Sequence, residues 1–227
     1  MRVHVAFTPA EALEADVAVV VDVMRATSTI AQALAAGYRR VLCCAEIEEA
    51  RALKAALPEP SLIAGERNGK LIEGFDLGAS PSEFLEPRAE TIVMTTTNGT
   101  RAIVAAAAHC ETVVLGSMLN LDAVVRAAGQ AREDTTIVCA AFRGRFAIDD
   151  AYCAGRIVEL LRGERTDAAV ASEVLARAFP GAWEGITART YGPPGMEDDL
   201  RWCSQENTLE VVPRFTRMVG SAAEVVV

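Results

Sequence analysis

Histidine is almost missing from this chain: His4 and His109 are the only two. None of the six cysteines (Cys43, Cys44, Cys110, Cys139, Cys153 and Cys203) stands in a C-x-x-C pair. Zinc centres need closely spaced Cys and His, so a zinc site finds few ligands here. Most of the cysteines sit in apolar runs, which reads as buried free thiols in a reducing compartment. Lysine is reduced to Lys54 and Lys70, and 22 Lys plus Arg face 31 Asp plus Glu, a net charge of −9. With no basic excess to displace counterions, nucleic acid is not an expected partner. A small anionic ligand stays open, because it responds only to local charge. No apolar run is long enough to span a bilayer, and the start from Met1 to Pro9 is too short and polar for a signal peptide. The expected location is the cytoplasm, without a membrane partner. No G-x-G-x-x-G follows a strand-like run, which leaves nicotinamide or flavin binding without support.

Against these absences stands a hydrophobic fraction of 51% with only 5% aromatics, the signature of a Val, Ala, Leu and Ile core. A length of 227 residues fits one large domain or two small ones. Short β-branched runs at 3–7, 17–21, 40–45, 62–65, 91–95, 112–115 and 135–140 read as strands. Helical patterns fill 29–36, 46–57, 101–108, 121–131, about 149–162 and 168–179, with Asn120 as an N-cap. A helical turn is expected at 81–85. The segment 181–200 reads as helical or irregular, and Val211-Val212 and 225–227 as apolar runs of undetermined type. This βα rhythm implies an α/β fold whose mostly parallel sheet is covered on both faces. The runs Val21 to Thr29 and Val93 to Arg101 echo one another, each passing from strand through a hydroxyl-rich turn into a helix. A single domain over 1–227 is expected, with two similar subdomains split near 85–110 as the alternative.

Ligands in open α/β sheets bind beyond the carboxyl ends of the strands, and polar residues collect there. The sharpest junction is Val17 to Val21 followed by Asp22, Arg25, Thr27, Ser28 and Thr29. A helix start offers free N–H groups, arginine forks onto oxyanions, and Asp can ligate a hard metal or attack as a nucleophile. Other strand ends supply Glu66, Arg67, Asn68 and Asp76, then Thr95 to Thr100, Ser117 and Asn120, and finally Arg143, Arg145, Asp149 and Asp150. Carboxylates that bind Mg²⁺, arginines that neutralise oxygens and N–H groups that cradle phosphate make up phosphoryl chemistry. Singly, each is an ordinary turn or cap residue; the joint pattern carries the reading.

Near misses narrow it. Gly65 to Leu71 is one residue short of a Walker A loop and ends in Leu71 where Ser or Thr is required. Met24 stands where a D-x-D aspartyl phosphatase needs its second Asp. Cys139 to Arg145 has the C-x₅-R spacing of cysteine phosphatases, but Cys139 lies inside the apolar run from Ile137 to Ala140, which favours an inert thiol.

Several loops together resemble one family. Val21 to Thr29, Gly65-Glu66-Arg67, Gly74 to Pro81, Thr96 to Arg101, Gly144 to Asp150 with Cys153-Ala154-Gly155, and Arg201 to Asn207 with Val212-Pro213 match 2-phosphosulfolactate phosphatases in the family's order. Ala79 departs from an expected Asn, and Asp149 from an expected Glu. The resemblance implies a three-layer α/β/α fold with a mostly parallel or mixed sheet. It also implies magnesium-dependent hydrolysis of 2-phosphosulfolactate to 3-sulfolactate and phosphate, a step associated with coenzyme M biosynthesis; a related small 2-phospho acid is the variant of this expectation. Asp22, Arg25 and Asp150 are then expected as catalytic residues. Asp22, Glu66, Asp76 and Asp149 are expected at Mg²⁺, with Asp22 either a ligand or the nucleophile. Thr27, Ser28, Arg67, Thr97, Asn98, Gly99, Thr100, Arg101, Arg143 and Arg145 are expected on the substrate. Two alternatives stand beside this: a Cys139 nucleophile working with Arg145, and a non-catalytic anion-binding regulatory protein. The oligomeric state is open, a homo-oligomer included.

Overall fold

The computed structural model describes residues 1–11 and 15–227. The chain opens with β1 (Arg2–Ala6), β2 (Val17–Val21), α1 (Ala26–Ala36), β3 (Arg40–Cys43), α2 (Ile47–Ala56), β4 (Ser61–Arg67) and β5 (Lys70–Leu71). A 3₁₀ turn at Pro81–Phe84 leads to β6 (Thr91–Thr95), α3 (Gly99–Ala107), β7 (Thr112–Gly116), α4 (Leu121–Ala131) and β8 (Thr135–Cys139). Then follow α5 (Ile148–Leu160), β9 (Glu164–Arg165), α6 (Asp167–Arg177), α7 (Ala182–Thr187), α8 (Glu197–Cys203), β10 (Arg214–Val219) and β11 (Ala222–Val226).

One mixed sheet has the order β5-β4-β6-β3-β11-β10-β7-β2-β8-β1-β9. β4, β6 and β3 form one parallel block, and β7, β2, β8, β1 and β9 another. The antiparallel hairpin β10–β11 joins them, with β11 against β3 and β10 against β7. Three antiparallel steps in a row leave the two blocks running in opposite senses. α3, which follows β6, packs on β2, β7 and β8 of the other block, and Gly99 after β6 abuts Asp22 after β2.

Alternating side chains divide the core as period-2 geometry requires. Ala18, Val20, Val41, Ile92, Met94 and Val138 face the crossover helices α1 and α3. Val19, Val21, Ile137 and Cys139 face the other way, onto α4, α5 and their neighbours. Leu42, Ile63 and Val93 cover Ala50 of α2 on that same outer side of the other block. Helices thus flank the sheet in three α/β/α layers. Among the described residues no helix is long and apolar enough to cross a membrane.

The expected element types hold, with shifted edges. α1 begins at Ala26 rather than Thr29, because the Thr27 N–H and hydroxyl both donate to the Asp22 carbonyl (3.0 and 2.8 Å) and close the turn early. Val211-Val212 is not a strand; the Val211 carbonyl accepts from the Asn120 amide (3.0 Å). Asn120 therefore does not cap α4 through its side chain, which turns back to Ser117 and Leu115. β10 (RFTRMV) was hidden by its mostly exposed, charge-interrupted pattern.

Candidate active site

The two carboxyl-end clusters meet at a cavity of about 320 Å³. Asp22, Arg25, Glu66, Thr97, Asn98 and Asp149, all expected from sequence, line it. Asp22 is buried, 6% exposed. Burial, then the charges of Glu66 and Asp149, push its carboxyl from the usual 3.8 to about 7. The Ala26 N–H and the Arg189 charge oppose that rise. Glu66 is held in place: its Oε1 accepts from the Thr97 N–H (2.7 Å), and its Oε2 from the Thr97 hydroxyl (3.0 Å) and the Gly69 N–H (2.6 Å). Arg25 leaves the strand end beside Asp22 and its Nη1 meets Asp199 Oδ2 at 2.5 Å; Asp199 in turn accepts from the Ser80 hydroxyl.

Asp149 and Asp150 open α5, where the helix dipole favours carboxylates. Their tasks differ. Asp150 Oδ1 accepts from the Val23 N–H and Oδ2 from the Ala141 N–H, both at 3.0 Å, tying the ends of β2 and β8 together. Burial and the charges of Asp149 and Asp22 hold its carboxyl well above the ordinary range. Asp150 does not line the cavity, so the structure places it as a tie behind the site rather than beside a substrate. Asp149 Oδ2 pairs with Arg189 Nη1 at 2.8 Å, whereas its buried Oδ1 meets no partner among the described residues.

Other expected site residues are engaged elsewhere. Thr27 and Ser28 bond the carbonyls of Asp22 and Val23 inside the α1 turn. Thr100 exchanges bonds with Thr96 (2.9 and 3.1 Å), and the Thr97 N–H serves Glu66, so neither N–H is open to cradle phosphate. Arg67 is fastened to the Glu66 carbonyl, Thr95 and the Ala45 carbonyl. Arg101 is half-exposed and pairs with Glu46 (2.9 Å). Asp76 accepts from the Ile63 N–H (2.9 Å) and neighbours Lys54 (3.7 Å), away from the cavity, so it is no part of a ligand set with Asp22. Arg143 reaches only the rim, through Asn98 and Asn68. Arg145 closes a tight turn with Phe142 and is exposed.

Residues after α7 supply what sequence reasoning missed. Arg189 lies over the rings of Phe142 (4.3 Å) and Tyr191 (5.3 Å) and enters the cavity beside Asp149. Pro193 and Met196 close over Gly69, where a Cβ would stand 2.6 Å from each. Gly69 has φ +80°, so the turn and the close approach both need glycine. No periodic pattern marks this segment.

Cys139 is 0% exposed and faces α5. Burial, then Asp150, raises its thiol well above the usual range, so the thiolate a nucleophile needs is suppressed. Cys139→Ser is expected to keep kcat within about twofold while costing ~1–2 kcal/mol of stability for the buried hydroxyl; a kcat loss above a hundredfold in a folded variant would restore the thiol mechanism.

Among the described residues no three His, Cys, Asp or Glu side chains gather closely enough to hold an ion by themselves. Mg²⁺ asks for less: one or two carboxylates, waters and substrate phosphate oxygens. Asp22 beside Asp149, with the unpartnered Oδ1, fits that requirement.

A three-layer α/β/α scaffold with buried carboxylates and arginines around a small cavity defines an enzyme that handles a small anionic ligand. The family model described as 2-phosphosulpholactate phosphatase matches residues 4–218. A probable 2-phosphosulfolactate phosphatase of Thermotoga maritima is 39% identical over 225 residues, covering 96% of both chains. One from Caldanaerobacter subterraneus subsp. tengcongensis is 38% identical over 87% of this chain and 86% of the relative. One from Thermus thermophilus is 37% identical over 98% of each. The chain belongs to the 2-phosphosulpholactate phosphatase family.

Proposed function

We propose that this protein is a Mg²⁺-dependent phosphoric monoester hydrolase that converts 2-phosphosulfolactate, or a closely related 2-phospho acid, to 3-sulfolactate and phosphate. The family assignment supports the reaction class and the substrate. The observation that carries the site is Asp22: a carboxylate buried beside Asp149, with Arg25 and Arg189 lining the same cavity, at the lower end of the roughly 300–1,000 Å³ range of small-molecule pockets. Asp22 and Asp149 would hold Mg²⁺, which when bound neutralises phosphate charge and acidifies water. Glu66, fixed by Thr97 and Gly69, adds negative potential at the cation. Arg25, held by Asp199, orients an anionic group of the substrate at the α1 start. Met24, Ile186 and Leu200 line the apolar side and exclude water.

The test is phosphate release from 2-phosphosulfolactate, 2-phospholactate and a plain alkyl phosphate. Release is expected to be fastest with 2-phosphosulfolactate, to drop at least ~10²-fold in EDTA and to return with Mg²⁺. Undiminished turnover in EDTA removes the magnesium role. Binding of the acids without turnover, read by calorimetry, replaces the enzyme reading with an anion-binding protein.

A further inference from the structure

Arg189, like Arg25, forms a one-bond ion pair in a buried place. A structural Arg–carboxylate pair in a buried place normally closes as a two-bond fork, because each unmet polar atom there costs free energy. Here a single bond joins Arg189 Nη1 to Asp149 Oδ2. The Arg189 Nε–H donates to the Tyr191 carbonyl (2.8 Å), and among the described residues no acceptor meets Nη2. Asp149 Oδ1, on the other side of the pair, is buried without a partner. The Arg189 side chain is 14% exposed, and it lines the cavity. The guanidinium plane is set by the Phe142 and Tyr191 rings, so the open edge is fixed in direction.

Arg189 and Asp149 line the same cavity as Asp22. Asp149 precedes Asp150, Asp150 holds the Val23 N–H, and Val23 follows Asp22. Arg189, Asp149 and Asp22 therefore share one wall, and the Arg189 charge is felt at Asp22. Arg25 differs: its partner, Asp199, lies on α8 with Ser80.

We propose that Arg189 is a catalytic residue, the clamp that takes the phosphoryl oxygens of the substrate through its open Nη2 edge while Asp149 keeps it in place. This rests on the phosphatase reading above and adds to it the group that neutralises charge on the transferring phosphoryl. The ligand chemistry is a tetrahedral dianion, phosphate ester or inorganic phosphate. Arginine, unlike lysine, can keep one donor nitrogen free for such an oxyanion, fixed in the guanidinium plane, while its other two nitrogens stay bonded.

Arg189→Lys separates clamp from structural pair, since a lysine ammonium still satisfies Asp149. With the clamp, the Lys variant loses at least ~10² in kcat, equally for 2-phosphosulfolactate and a plain alkyl phosphate, and binds inorganic phosphate at least tenfold more weakly by calorimetry. Free guanidinium chloride restores part of the turnover of Arg189→Ala. A Lys variant within threefold of the parent in both kcat and phosphate affinity overturns the clamp, as does a folded Ala variant that guanidinium does not rescue. The binding arm distinguishes the two readings: if the parent binds phosphate, the Lys variant binds it tenfold more weakly and neither releases phosphate from any ester, Arg189 remains a phosphate-binding residue, and the hydrolase reading fails together with the catalytic role.

Discussion

Asp22→Asn is expected to lower kcat at least ~10³-fold and, in chelator above pH 7, to raise the melting temperature. The activity loss follows from removing the carboxylate at the centre of the cavity with no change of shape, since Asn can still accept from the Ala26 N–H. The stability gain follows from linkage. Folding raises the Asp22 pKa from 3.8 to about 7. Between those values the folded chain keeps a proton that the unfolded chain has released, so stability falls as pH rises through the window, and the full penalty persists above it. Asn carries no such penalty and also relieves the repulsion felt at Asp150. Each unit of displacement corresponds to about 1.4 kcal/mol, or ~3–5 °C in a chain of this size. The variant should melt higher than the parent at pH 8 and no higher near pH 4. Scanning calorimetry of the chelated proteins across pH checks this; an unchanged difference between pH 4 and 8 would sink the assignment of the strained carboxylate to residue 22.

Gly99→Ala is the second large effect, and it acts through contact rather than charge. A Cβ at Gly99 would stand 2.4 Å from Asp22 Oδ2 and 2.4 Å from the Ala26 Cβ. Both neighbours are buried, so the start of α3 must retreat from the start of α1. Overpacking of this kind costs ~1–3 kcal/mol, and displacement of reacting groups by about 1 Å costs ~10²-fold in rate. The expected result is a melting temperature several degrees lower and kcat/KM down ~10²-fold in the fraction that remains folded. Ala26→Gly added to Gly99→Ala removes one of the two clashes and should return part of the melting temperature. A Gly99→Ala enzyme with parental kinetics would mean that the two helix starts do not jointly shape the site.

Much of this site was legible because strand ends are legible. Val17 to Val21 and Thr91 to Thr95 are continuous β-branched or apolar runs with no competing helical period, and both strands have the expected bounds. Asp22, Glu66, Thr97, Asn98 and Asp149 followed directly from what comes after such runs. The errors came from treating every polar residue at a strand end as facing the ligand. Asp76 and Thr100 instead satisfy the backbone N–H groups of Ile63 and Thr96 within their own loops. Arg189 was illegible for the opposite reason. It belongs to no periodic element, and its placement depends on Phe142 and Tyr191, which are remote from each other in sequence and meet only in the fold. β10 was illegible because a strand central in the sheet order need not be covered by a helix, and its polar face carried no apolar alternation.

The hairpin β10–β11 also has a consequence in time. Synthesis delivers the chain from the amino end, so nine strands leave the ribosome before the two that join them. Until then β3 and β7 each lack a neighbour, and the sheet consists of two separate rafts. Even afterwards β10 holds β7 through little more than the Arg214–Val114 pairing and the bond from the Leu115 N–H to the Pro213 carbonyl (2.9 Å). The carboxylates of the cavity are divided between those rafts, Glu66 on one and Asp22 and Asp149 on the other. Before the hairpin is made, the two halves of the chemistry have no continuous sheet between them and meet only through helix packing, chiefly of α3 on β2, β7 and β8.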